Sequence, residues 1–181
     1  MIKPDGYDDV QGILPGEFRR LPAGGYVCQI AGASTSRSRV GNNMLVLLLD
    51  IAEGENAGFF MVDYLERQKK NPEASWPTSG TYWQNTEGNG TKFFKGLMQL
   101  VEECNPGYEW DFNEVGLIGK KLGVIFREEE YEGSDGKARM SLKPFTFCTV
   151  DAIHNGEFKA PEPKLLSRPP GTEIDEKDIP F

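Results

Sequence analysis

A chain of 181 residues, 38% of them hydrophobic, has room for one domain with a real core and short arms. A mean hydropathy of −0.48 and the lack of an eighteen-residue apolar run exclude a membrane-spanning helix, and Met1-Ile2-Lys3-Pro4-Asp5 lacks the apolar run of a secretion signal. The net charge of −8 counts against a nucleic-acid binder, for which a basic footprint is expected, unless that charge is unevenly spread.

The spread is uneven. Residues Glu173–Phe181 hold four acids against one Lys, and the first ten residues hold three Asp against one Lys, leaving only −3 for everything between. Phosphate binding needs a local positive groove, not a positive total. Cys28, Cys104 and Cys148 are odd in number, widely spaced and set in apolar sequence. They read as reduced core thiols of a cytoplasmic protein, and without CxxC spacing they do not suggest zinc.

Residues 1 to about 21, rich in Gly, Pro and Asp, read as an arm. Pro22-Ala23-Gly24-Gly25 introduces a strand over Tyr26 to Ala33, with Tyr26, Cys28 and Ile30 on one face. A polar loop with Arg37 and Arg39 leads to a second strand, Met44 to Ala52, apolar on both faces and so expected to be central and covered. After the Glu53–Gly58 turn, Phe59 to Leu65 reads as a third strand. Residues 66 to 90 read as an irregular excursion, of a length that is usually functional or disordered. Thr91 to Cys104 predicts a helix, its stripe formed by Phe93, Leu97, Leu100, Val101 and Cys104 and widened by Phe94 and Met98. Asn105-Pro106-Gly107 stops it. Strands over Lys120 to Glu130 and Ala138 to Val150 flank a Gly133–Gly136 hairpin loop, with Pro144 marking an edge or a bulge. Residues 155–172 read as a linker to an acidic tip at 173–181.

Three strands, a helix and two strands is the order of the OB-fold, an all-β five-stranded barrel with one helix between strands three and four. The domain is expected over residues 22–154. Such barrels bind oligonucleotides on strands two and three and in the loops joining strands one to two and four to five. On that frame three groups become candidate DNA contacts. Arg37 and Arg39 lie on the first loop. Phe60, Tyr64, Arg67, Lys69, Lys70, Trp76, Tyr82 and Trp83 lie on strand three and the excursion. Arg127, Tyr131, Lys137 and Arg139 lie on the last hairpin. Cations interleaved with aromatic rings suit a binder that stacks bases without reading them. For any single ring, packing on the barrel is the simpler role.

Chemistry has little to work with. His154 is the only histidine and reads as a surface residue. The sequence holds no HExxH, GxSxG, P-loop or GxGxxG pattern, so neither an enzyme nor a cofactor is expected.

The ending is more specific. The acids Asp175, Glu176 and Asp178 lead into Ile179-Pro180-Phe181, where an apolar ring and a free carboxylate can be captured together by a pocket and a cation. Pro180 stiffens that tip. It resembles the C-terminal tip of bacterial single-stranded DNA-binding proteins, although Lys177 interrupts its acids. The body, through Leu21-Pro22-Ala23-Gly24-Gly25-Tyr26-Val27, Leu49-Asp50-Ile51-Ala52-Glu53-Gly54-Glu55, Phe59-Phe60, Phe93-Phe94-Lys95, Asn105-Pro106-Gly107-Tyr108-Glu109-Trp110-Asp111 and Gly119-Lys120-Lys121-Leu122-Gly123, resembles a family of phage- and prophage-encoded proteins of Gram-positive hosts. That resemblance covers roughly residues 12 to 166 and implies single-stranded DNA binding in phage replication or recombination, in the host cytoplasm. The tip implies recruitment of host replication or repair proteins. An acidic interaction module that never touches DNA is the alternative favoured by the net charge, and a nuclease on a similar scaffold is a third. A homo-oligomer is compatible with the doubly apolar second strand.

Overall fold

The computed structural model describes residues 20–166. Residues 1–19 of the expected N-terminal arm and the tip residues Asp175, Glu176, Asp178, Ile179, Pro180 and Phe181 lie outside the described residues, while Leu21, at the end of that arm, is buried in the core. The protein is mostly β. Five strands, β1 (Gly24–Arg37), β2 (Asn43–Ile51), β3 (Thr81–Asn85), β4 (Lys121–Glu132) and β5 (Ala138–Cys148), form one antiparallel sheet in the order β3-β2-β1-β4-β5. Three helices, α1 (Phe59–Lys70), α2 (Thr91–Cys104) and α3 (Val150–His154), accompany it. No described helix is long and apolar enough to cross a membrane.

The hydrophobic alternation of the strands decides what lies inside. Leu45, Leu47, Leu49 and Ile51 of β2 face the core with Cys28 and Ile30 of β1 and Leu122, Val124 and Phe126 of β4. Leu97, Met98 and Val101 of α2 close over them. β2 is an interior strand, between β3 and the central β1, and its second face (Met44, Val46, Leu48) is only partly covered, where a fully covered central strand was expected.

The predicted third strand is a correction. Phe59 to Leu65 is the first half of α1, and the third strand lies inside the supposed excursion, at Thr81–Asn85. Phe60 and Tyr64 share a face at a spacing of four, which satisfies a period of 2 and a period of 3.6 alike. The helix wins because its ends are provided for. Gly58 takes a left-handed φ of 74° ahead of it, and the Asp50 carboxylate accepts the N–H groups of Phe60 (2.9 Å) and Met61 (3.3 Å), two of the orphan donors of the first turn. Arg67, Lys69 and Lys70 fill the last turn, where cations complement the helix dipole. An extra helix thus stands between β2 and β3, in addition to the expected one between β3 and β4. The sheet is not closed by hydrogen bonding: β3 and β5 remain its two edges.

Phe60 is fully buried, 5.8 Å from the Phe126 ring, so it is a core residue and not a base-stacking one. Phe60→Ala is expected to cost about 3–5 kcal/mol in a denaturant titration, the usual penalty for emptying a packed aromatic site. Unfolding at wild-type denaturant concentration would contradict this placement.

Candidate nucleic-acid interface

The two sheet edges face one another across a groove of about 610 Å³, with α2 along its third side. Its lining includes Tyr82 and Trp83 of β3, Lys92 and Phe93 of α2, and Phe145 and Phe147 of β5. Tyr82 and Phe147 meet edge to face at 4.6 Å, bridging the edges by ring contact.

Each wall is held locally. Buried Gln84 accepts the Tyr82 hydroxyl at 2.9 Å and donates to the Asn85 carbonyl at 2.7 Å. Burial pushes the Tyr82 phenol above its usual range, keeping it a donor. A side chain on Gly90 would sit 2.4 Å from the Asn85 carbonyl oxygen, so only glycine lets α2 start this close to β3. The Thr91 hydroxyl donates to the Thr86 carbonyl at 3.0 Å and fixes the same junction. Lys92 and Phe93, the next residues, are thereby set at the groove mouth.

On the opposite wall the β4–β5 register slips: Ile125 pairs with Thr146 but Phe126 pairs with Pro144, leaving Phe145 as the extra residue of a bulge. The expectation of an edge or a bulge at Pro144 is met on both counts. Phe145 turns outward, 45% exposed, and the Arg127 guanidinium lies 3.9 Å from its centroid. Arg127 also bonds Glu129, while its Nε has no hydrogen-bond partner. That Arg127 bond, above all, holds the Glu129 carboxyl below the usual carboxylate range, with Lys164 and Lys143 assisting. Trp83 (47% exposed) and Phe93 (63%) complete a set of three accessible rings, and the Lys92 ammonium stands 5.0 Å from the Phe93 centroid.

Of the residues singled out in the sequence, the structure therefore brings Tyr82, Trp83 and Arg127 to this groove. Arg37 and Arg39 are exposed on the β1–β2 hairpin. The pairing Ser34–Val46–Trp83 puts Arg37 three residues, or ~10 Å of strand, beyond the Trp83 row. The others lie elsewhere. Trp76 is buried against Tyr64 at 5.2 Å, so neither is a free stacking surface. Arg67 pairs with Asp63 at 2.8 Å on α1, whose end carries Lys69 and Lys70; none of the three lines the groove. Tyr131, Lys137 and Arg139 are exposed at the far hairpin, with Arg139 paired to Asp135 at 2.8 Å. His154 is on the surface, 2.8 Å from Glu53.

Lys92, Phe93 and Phe145 were missed. Phe93 fits the helical stripe of α2, but the stripe turns inward through Leu97, Met98 and Val101 and leaves Phe93 outside. Phe145 is displaced by the bulge, for which Pro144 was the one available signal. Among the described residues no group of three or more His, Cys, Asp or Glu side chains is placed to hold a metal ion. Compared with protein-family models and with curated proteins, the chain matches none.

Because the folded Glu129 pKa is depressed, its contribution to stability is present above the unfolded value, ~4.3, and is lost as pH falls through the lower folded value. The stability difference between wild type and Glu129→Gln is expected to hold above pH ~5 and to vanish in acid. Parallel denaturant titrations would reveal a pH-independent difference if the Arg127 bond were not responsible.

Proposed function

We propose that the protein is a sequence-tolerant single-stranded DNA-binding protein of phage replication or recombination, and that its sheet is the frame of an OB-type barrel. The observation that carries this reading is the groove, where Trp83, Phe93 and Phe145 expose ring faces and Lys92 and Arg127 stand over two of them. Stacking on such rings needs no particular base, and cations beside them answer the phosphates. The strand order supports the barrel reading: the edges that would close it, β3 and β5, already touch through Tyr82 and Phe147. Arg37 and Arg39 would extend the phosphate track along the β1–β2 hairpin. The family resemblance of the body points the same way, and the tip Asp178-Ile179-Pro180-Phe181 would recruit host replication or repair proteins.

Fluorescence anisotropy of labelled oligo-dT at several salt concentrations, with a duplex of equal length as control, tests the proposal. Binding should be micromolar or tighter, selective for the single strand, and weakened by salt. Trp83→Ala and Phe145→Ala should each weaken it about 5- to 150-fold, the ~1–3 kcal/mol of one stacked base. Trp76→Ala should act on stability instead. No binding at low salt would leave the second reading, favoured by the net charge of −8, of an acidic module that engages a protein without DNA.

Removing residues 173–181 should abolish capture of the host partner and tighten oligo-dT binding slightly, most at low salt, because four acids leave with it. Partner affinity unchanged by that deletion would refute the role of the tip.

A further inference from the structure

Cys104 ends α2 and Cys148 ends β5. Asn105 brings the two ends together. Its Nδ2 donates to the carbonyls of Val101 (2.7 Å) and Lys121 (2.8 Å), and its Oδ1 accepts the Lys121 N–H at 2.9 Å. These bonds pin the last turn of α2 to the start of β4. Two residues further along β4 is Gly123, the cross-strand partner of Cys148. The Cys148 sulfur lies over that glycine: a Cβ on Gly123 would come within 2.8 Å of it, and within 2.7 Å of the Thr149 carbonyl oxygen. Cys104, next to Asn105, is half-buried, and its thiol is near enough to Cys148 and to the backbone of Gly123 and Val150 to interact with them. Gly123 therefore leaves room for the Cys148 sulfur beside the end of α2 that carries Cys104, while Cys28 is fully buried and paired across to Leu122.

We propose that Cys104 and Cys148 form a dithiol site that closes to an intramolecular disulfide when it meets a low-molecular-weight disulfide such as oxidised glutathione. One cysteine thiolate attacks the small disulfide, forming a mixed disulfide and expelling one glutathione thiolate. The second cysteine then attacks the protein sulfur of that mixed bond and expels the other glutathione. Two thiol protons pass to the expelled thiolates, the protein loses two electrons, and the oxidant gains them. Burial raises both thiols above their usual range, and Glu103 and Asp151 add to this at Cys104. Closure is accordingly slow near neutrality and speeds up as the thiolate fraction grows with pH. The site does not depend on what the groove binds. It does bear on the groove's shape, because Cys148 follows Phe147 and Cys104 lies one helical turn beyond Leu100, both of which line it.

The test uses the reduced full-length protein, incubated with oxidised glutathione at pH 8, alkylated, and mapped without reduction. The expected product is lighter by two hydrogens, contains a Cys104–Cys148 linked peptide, and retains Cys28 as a free thiol. Closing a loop of this length should raise Tm by several degrees, reversibly with dithiothreitol. Cys104→Ser and Cys148→Ser should each melt near the reduced wild type and carry a single glutathione on the remaining thiol. Stable glutathione adducts on both cysteines of the wild type, a link to Cys28, or no oxidation while the urea-unfolded chain oxidises fully would each overturn the proposal. So would a linked product with an unchanged or lowered Tm, which would mean that the bond strains the fold.

Discussion

The edge-to-face contact of Tyr82 on Phe147, at 4.6 Å, is the constraint on which the rest of this architecture turns. The two edges of the sheet approach one another here through side chains instead of a hydrogen-bonded ladder. A ladder would set strands ~4.8 Å apart and leave nothing between them. A ring contact at one point permits the edges to splay, and the space so opened is lined by whatever the two strands and α2 present. Aromatic side chains act both as the joint and as the walls.

The same economy shows in how charge is handled. Arg127 is shared between a carboxylate and a ring, and Arg139 and Arg67 are each matched by an acid one helical turn or one hairpin away in sequence. Exposed pairs of this kind contribute little to stability and are screened by salt. Of the three arginines, Arg127 is the one beside an exposed ring of the groove, so positive charge is local there although the chain as a whole is acidic. The sign of the net charge and the sign of the local field can therefore differ.

Much of the sheet was legible in the sequence because β1, β2, β4 and β5 carry strand-length apolar or alternating patterns bounded by Gly, Pro and Asn. The helix over Thr91–Cys104 was legible as well, its end marked by Asn105-Pro106-Gly107. What was not legible depended on tertiary partners. The four-residue spacing of Phe60 and Tyr64 fits either secondary structure, and Asp50, ten residues before Phe60, settles the matter by accepting first-turn N–H groups of a helix. Thr81–Asn85 is too short to declare a period, and its role is fixed by pairing with Met44–Leu48. Within the site, Tyr82, Trp83 and Arg127 could be named because rings and cations sit close together in sequence. Phe145 could not, since a one-residue slip in register sends it to the opposite face.

The stretch after α3 leaves the body in a particular way. Lys164 bridges the free edge of β4, accepting the Glu130 N–H at 2.8 Å and donating to the Glu128 carbonyl at 2.9 Å, and the Leu166 N–H is held by the Glu130 carboxylate at 3.0 Å. This fastens the chain beside Arg127's own strand. The same bridge occupies the backbone groups of Glu128 and Glu130 that would otherwise lie open to pairing with a strand of another chain, so this part of the sheet is shielded from edge-to-edge association.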